Sequence, residues 1–144
     1  MAFFAFGPNM KSKIIALYGA ANVGKSATLK LVLAGLEKRP GAVTTRLIDL
    51  TDIRAIIAIG DLKIGLETQG DPGGRLAESL DLFVTEGCQF IVCATRTWGA
   101  TVDVVKARFA DTEITWIRKC RADAPEKYDT LNAASAAAIL TKIP

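Results

Sequence analysis

Gly19-Ala20-Ala21-Asn22-Val23-Gly24-Lys25-Ser26 is the segment of this chain from which a fold class can be predicted most directly. Its fixed positions follow the spacing G-x-x-x-x-G-K-[ST]. Residues 14–18 before it form an apolar run that is typical of a buried strand, and residues 27–33 after it are typical of a helix. A strand, a glycine-containing loop and a helix in this order are the setting in which that spacing holds phosphate groups.

We call residues 19–26 the phosphate loop, and its chemistry explains the spacing. Glycine lets the backbone curl so that several N–H groups face one point. The helix that follows adds unpaired N–H groups and the positive end of its dipole. We therefore predict anion binding by all eight residues of the loop and by Ala27. Lys25 would bring an ammonium to the β- and γ-phosphates, and the Ser26 hydroxyl would bind Mg²⁺.

On residues 14–33 the chain resembles the P-loop NTPase superfamily, and over the rest, to about residue 140, the resemblance is architectural. It implies a three-layer α/β fold and a small, single-domain protein with a kinase-like architecture. It also implies binding of ATP with Mg²⁺ and, usually, transfer of a phosphoryl group. It does not say which reaction is catalysed.

Length and composition favour one domain. The chain has 144 residues, of which half are hydrophobic and 23% are charged, enough to form one sizeable core. We assign residues 10–144 to a single nucleotide-binding domain. The apolar residues 1–9 are expected to be a flexible appendage, because residues 10–13 directly precede the first strand. They lack the features of a signal peptide and are too short to cross a bilayer.

The residue types also exclude some chemistry. The sequence contains no histidine, so histidine-based acid–base catalysis is excluded, and its three cysteines form no C-x-x-C pair. We predict a reducing, cytoplasmic location without membrane attachment. The net charge of +3 fits a phosphate site, and no nucleic-acid motif accompanies it. Cys93 is expected in the core.

Apolar periodicity predicts alternating strands and helices, which indicates an α/β fold with a mainly parallel sheet of about five strands. The two apolar runs 53–59 and 62–67, joined by Gly60-Asp61, indicate an added β-hairpin, with a helix over 53–59 as the alternative. The other predicted strands are 14–18, 43–48, 90–94 and 114–118, and the predicted helices are 25–38, 75–85, 101–109 and 128–142.

A triphosphate-bound Mg²⁺ usually needs a carboxylate opposite the loop serine. The resemblance places that acid at the end of an apolar strand. Glu67 is our first choice as metal ligand and catalytic acid, although the family usually has Asp there. Asp49 is the second choice, and Asp61 lies in the predicted turn, where a structural role is favoured.

Ligands of a parallel sheet bind beyond the carboxyl ends of its strands, so other polar residues are expected beside the phosphate loop. Asp71, in the glycine-rich loop 70–74, would orient a hydroxyl group or a water molecule, unless it only caps a helix. The resemblance implies that Arg96, which follows a buried strand, contacts a phosphate or the adenine, and Arg96, with Arg75 as the alternative, would neutralise charge in the transition state. Trp98 would either stack on a base or cover the sheet.

We predict an ATPase or small-molecule kinase, with Lys25, Glu67, Asp71 and Arg96 as its catalytic residues. The alternative is a nucleotide-dependent switch, binding ATP or GTP, that acts on a protein partner with little turnover; self-association is also compatible. ATP is favoured over GTP because no N-K-x-D or T-K-x-D follows the strand 114–118.

Overall fold

The computed structural model describes residues 12–144, so the appendage predicted over residues 1–9 lies outside the described residues. The predicted element bounds agree with the structure to within two residues. The strands are β1 (Lys13–Tyr18), β2 (Ala42–Asp49), β3 (Ile53–Ile59), β4 (Leu62–Glu67), β5 (Phe90–Thr95) and β6 (Ile114–Arg118). The helices are α1 (Lys25–Glu37), α2 (Leu76–Thr85), α3 (Ala100–Arg108) and α4 (Tyr128–Leu140), with short 3-10 turns at Asp111–Glu113 and Pro125–Lys127.

The strands form one mixed sheet in the order β2-β3-β4-β5-β1-β6. Strands β4, β5, β1 and β6 run parallel to one another. Strand β3 is antiparallel to both β2 and β4. The α/β class with a largely parallel sheet is therefore confirmed, and β1, which leads into the phosphate loop, lies between β5 and β6.

The hairpin over residues 53–67 is confirmed, and the helical alternative for residues 53–59 is wrong. The turn at Gly60-Asp61 joins β3 to β4, and Ile56 faces Gly65 across the pair. The hairpin is part of the main sheet, because β4 also pairs with β5. It brings the sheet to six strands. The first three residues of β3, Ile53, Arg54 and Ala55, are all buried, so both faces of the strand are covered there.

Two apolar cores cover the two faces of the sheet. Alternate residues of β1 point to opposite sides, as the pleat requires: Ile15 and Leu17 join one core, and Ile14 and Ala16 join the other. The first core packs against α1 and α4, and the second against α2 and α3. The chain therefore folds into three layers, with the carboxyl ends of the parallel strands at one open edge.

The helices of the described chain are short. The longest, α1 and α4, have 13 residues each, whereas a helix needs about 20 apolar residues to cross a bilayer. Among residues 12–144, no helix combines the length and the apolar character that a membrane span requires.

Gly65 allows α2 to pack closely on the sheet, and this contact can be tested. A Cβ added at Gly65 would run into the ring of Phe83, which is fully buried. We expect Gly65→Ala to lower the free energy of unfolding by about 1–3 kcal/mol, since the ring cannot move without disturbing the core. Urea denaturation measures this.

Gly35→Ala is the matched control. Its Cβ would meet the flexible end of Leu140 at 2.6 Å, and alanine favours the helix by about 1 kcal/mol. We expect this variant to be as stable as the original protein or more so. Equal losses in both variants would contradict the close packing assigned to Gly65.

Candidate functional site

The phosphate loop leaves the centre of the sheet and leads into α1. Its backbone adopts left-handed conformations at Asn22 (φ 60°) and Gly24 (φ 101°), which asparagine and glycine tolerate best. Gly24 is the N-cap of α1 and has no side chain to cap it, while Thr28 N–H donates to its carbonyl at 3.0 Å. The N–H groups of the first turn of α1 are therefore available to an anion.

Close contacts hold this loop in place. A Cβ on Gly19 would lie 2.6 Å from the carbonyl oxygen of Lys119, and one on Gly24 would lie 2.5 Å from Oδ1 of Asn132. Asn132 is buried in α4, and Lys119 N–H donates to the Tyr18 carbonyl at 2.8 Å. The loop is thus packed between the segment after β6 and the first turns of α4, and only glycine fits at these two points.

Lys25 folds back over the loop. Its side-chain nitrogen donates to the carbonyl oxygens of Gly19 and, at 3.0 Å, of Ala20. Lys25 is 9% exposed. Its burial lowers its pKa to about 8, and the positive charge of the nearby Arg96 contributes to this shift, whereas the negative charge of Asp71 raises the pKa. An ammonium has three N–H donors, so one is left for a ligand.

The acid beside Ser26 is Asp52. Ser26 Oγ donates to Asp52 Oδ1 at 3.2 Å, and Thr68 Oγ1 donates to the same oxygen at 2.8 Å. Thr68 also accepts a hydrogen bond from Ile53 N–H at 2.9 Å, which ties the start of β3 to the end of β4. Three oxygen-bearing side chains therefore converge at the start of α1.

Sequence reasoning missed Asp52 because it considered only the carboxyl ends of parallel strands. Strand β3 runs antiparallel to β4, so Asp52, which precedes β3, lies at the edge of the sheet where β4 ends. In the strand register, Arg54 at the start of β3 lies opposite Glu67 at the end of β4. The predicted hairpin at Gly60-Asp61 could have identified Asp52, since a hairpin places the start of β3 beside the end of β4.

The other candidate acids have different surroundings. Glu67 is fully buried, and Arg75 donates to both of its carboxylate oxygens, at 2.7 and 3.0 Å. Asp49 is largely exposed and faces Arg46 at 3.5 Å. Asp61 lies in the turn between β3 and β4. None of these three acids lines the cavity at the phosphate loop.

Asp71 and Arg96 meet beside the loop, as the topology predicts. Their closest charged atoms, Asp71 Oδ1 and Arg96 Nη2, are 3.3 Å apart. Arg96 N–H donates to Thr101 Oγ1 at 2.9 Å, while its side-chain Nε is buried and has no hydrogen-bond partner among the described residues. Trp98 is 81% exposed, so it does not cover the sheet.

A cavity of about 250 Å³ opens at the phosphate loop. Sites that enclose a whole small molecule measure about 300–1,000 Å³, so this one would surround only part of a nucleotide. Its walls come from the phosphate loop and α1, the turn before β3, the segment after β4, the end of β5 and the start of α4. The lining residues are Ala21, Asn22, Gly24, Lys25, Ser26, Ala27, Thr51, Asp52, Thr68, Gln69, Gly70, Asp71, Ala94 and Tyr128.

The cysteines lie apart from this cavity. Cys93 is fully buried, as predicted, and burial raises the pKa of its thiol. Cys88 is also buried, whereas Cys120 is exposed. Among residues 12–144, no group of three or more Cys, Asp or Glu side chains is arranged to hold a metal ion.

The lowered pKa of Lys25 predicts a pH dependence of stability. Its pKa is about 8 in the folded protein and 10.5 ordinarily, so the unfolded chain binds more protons between those values. The free energy of unfolding should therefore rise with pH through this window, and this contribution should be absent from Lys25→Met. Urea denaturation of both proteins from pH 7 to 10.5 measures the difference. A lysine signal at Lys25 that titrates near 10.4 by NMR would contradict the buried position.

Comparisons with known proteins assign no family to this chain. A scan against models of protein families, a search of curated proteins and a search of solved structures each found no match. The function must therefore be inferred from the residues that surround the cavity.

Proposed function

We propose that this protein binds a nucleoside triphosphate, preferably ATP, with Mg²⁺ at the phosphate loop, and hydrolyses it or transfers its γ-phosphate. The observation that carries the proposal is the convergence of Lys25, Ser26 and the open first turn of α1 on one cavity. Backbone N–H groups, an ammonium and a hydroxyl are the groups that hold polyphosphates in proteins.

The phosphate loop would bind the anion largely through its backbone. Left-handed residues at Asn22 and Gly24 allow neighbouring N–H groups to turn to one side, where a phosphate can accept several hydrogen bonds. Lys25 would add its remaining N–H donor. An anion there also favours the charged form of Lys25, which burial disfavours.

Ser26 and Asp52 fit a Mg²⁺ ion. Their oxygens are 3.2 Å apart, and adjacent ligands of an octahedral Mg²⁺ lie about 3 Å apart. Mg²⁺ bound there would neutralise charge on the β- and γ-phosphates. Thr68 would orient the Asp52 carboxylate through its 2.8 Å hydrogen bond. We therefore assign the metal-side acid to Asp52, since both oxygens of Glu67 bind Arg75.

Arg96 and Asp71 would act on the terminal phosphate. Arg96 has an unpartnered buried Nε, and a phosphate oxygen is a suitable acceptor for it. On binding the phosphate, Arg96 would give up its contact with Asp71. The Asp71 carboxylate could then orient a water molecule or an acceptor hydroxyl. Positioning and electrostatics of this kind provide most of the catalysis in phosphoryl transfer.

A nucleotide-dependent switch is the second candidate function. Residues 71–74, between β4 and α2, are exposed and include Gly73 at φ 74°. A loop that is exposed and adjacent to the terminal phosphate can report the state of the nucleotide to a partner. Release of inorganic phosphate by the isolated protein, with and without candidate acceptors, separates ATPase, kinase and switch.

The first test of the proposal is Lys25→Ala, with Lys30→Ala in the same helix as control. We expect Lys25→Ala to weaken binding of Mg-ATP about 10–100-fold, because a charged hydrogen-bond donor is lost. Lys30→Ala should bind normally. Isothermal titration calorimetry with ATP, and with GTP as competitor, measures both affinity and base preference. An unchanged affinity in Lys25→Ala would overturn the site assignment.

The second test concerns the metal. Asp52→Asn should raise the Mg²⁺ concentration needed for half-maximal ATP binding or turnover about 10–100-fold, since the carboxylate charge beside Ser26 is lost. Asp49→Asn is the matched control and should leave the Mg²⁺ dependence unchanged. If Asp49→Asn and not Asp52→Asn shifts this dependence, the assigned acid is wrong.

A further inference from the structure

We infer that Glu67 is a positioning residue: it anchors the loop of residues 68–75 so that Asp71, which lines the cavity at the phosphate loop, faces Arg96. We call these residues the 68–75 loop. The anchoring itself follows from contacts within the chain. Its consequence for turnover rests on the proposed function.

Glu67 is the most enclosed charge at this edge of the sheet. Its side chain is fully buried at the end of β4, and its carboxylate accepts hydrogen bonds from Arg75 Nε (2.7 Å), Arg75 Nη2 (3.0 Å) and Ser79 Oγ. A bidentate contact of this kind fixes both the distance and the orientation of the guanidinium. Arg75 directly precedes α2, so Glu67 determines where the 68–75 loop ends.

The start of the same loop is bound to the same carboxylate. Gln69 N–H donates to Glu67 Oε2 at 3.0 Å, and Arg75 N–H donates to Gln69 Oε1 at 3.0 Å. Between them, Gly74 N–H donates to the Asp71 carbonyl at 3.1 Å. One buried side chain thus holds both ends of the 68–75 loop, and Asp71 lies in the exposed part between them.

A second arginine supports this anchor. Arg54 Nε lies 3.7 Å from Glu67 Oε1 and donates to Ser79 Oγ at 2.9 Å, and Arg54 Nη1 lies 3.0 Å from Glu78. Arg54 is itself 7% exposed. Buried charges are tolerated only when they are paired and hydrogen-bonded. Glu67 meets this condition through Gln69 N–H, Arg75 and Ser79, whereas Nη2 of Arg54 is buried without a hydrogen-bond partner among the described residues. The contacts of Glu67 therefore favour one position of the loop.

The anchored loop reaches the cavity at two points. Thr68 donates to Asp52 on the Ser26 side at 2.8 Å, and Asp71 faces Arg96 at 3.3 Å. Gly70, between them, packs directly on Ala94 at the end of β5. Loss of the Glu67 charge would release Gln69 and Arg75, and it would displace Asp71 without touching the phosphate loop.

Limited proteolysis tests the anchoring without any ligand. Trypsin cleaves after arginine, and the Arg75–Leu76 bond is accessible only when the 68–75 loop is released. We expect Glu67→Gln to increase the cleavage rate at this bond at least about tenfold over the original protein, with each rate normalised to that of the same bond in the urea-unfolded chain. Arg75→Lys keeps a tryptic site but loses the bidentate contact, so it should also be cleaved faster.

Asp81→Asn is the matched control. Asp81 accepts a bidentate contact from Arg108, at 2.8 and 3.2 Å, on the outer side of α2. This variant breaks a similar ion pair outside the loop and should leave cleavage after Arg75 unchanged. Ile139→Val, in the core against α1, controls for a general loss of stability. Equal cleavage in Glu67→Gln and the original protein, or equal acceleration in either control, would overturn the inference.

Steady-state kinetics test the consequence at the cavity. For Glu67→Gln we expect kcat to fall at least about tenfold while the Kd for Mg-ATP changes less than threefold, because the phosphate loop is intact. Equal losses in Kd and kcat, or no loss in either, would overturn the positioning role. If the original protein binds no Mg-ATP, the proposed function fails, and the cleavage measurement still decides whether Glu67 anchors the loop.

Discussion

The site depends on how closely the backbone of the phosphate loop approaches its neighbours. At Gly19 and Gly24 there is no room for a side chain, because the Lys119 carbonyl and the Asn132 side chain occupy that space. These contacts join the loop to the segment after β6 and to α4, on the side of the sheet where α1 also packs. If an anion binds there as proposed, a loop held in this way would already have its N–H groups oriented, so little ordering would be required.

The parallel strands bring the remaining groups to the same edge. Strands β1, β4 and β5 end there, and the segments that follow them carry Lys25, Asp71 and Arg96 respectively. Lys25 and Asp71 line the cavity, and Arg96 faces Asp71. The antiparallel β3 contributes from its opposite end, which places Asp52 beside Ser26. The site therefore combines residues from four connections, and its geometry depends on the sheet order.

Two arrangements of charge at this edge have different roles. The cluster of Glu67 with Arg75 and Arg54 is largely buried, and both oxygens of Glu67 accept hydrogen bonds from Arg75, so it favours one conformation of the 68–75 loop. Breaking such a cluster is costly, because a charge is left buried without its partner. Asp71 and Arg96 are more exposed and only loosely paired. The Asp71–Arg96 ion pair could therefore separate if a ligand bound beside it, whereas the buried contacts of Glu67 would stay in place.

The α/β class, the element order, the hairpin and the glycine-containing loop between β1 and α1 could be predicted from the amino-acid sequence, because apolar periodicity and the spacing of glycines depend only on local chain geometry. The sequence also placed Asp71 and Arg96 at one edge, since parallel strands end together. The tertiary structure decided which acid faces Ser26. Glu67, Asp49 and Asp52 all lie near strand ends, and only the sheet order and the positions of Arg75 and Arg46 determine which carboxylate is already paired. Arg46 and Asp49 are three residues apart and Ser26 and Asp52 are 26 apart, so these pairings depend on how the strands meet and not on one local sequence pattern.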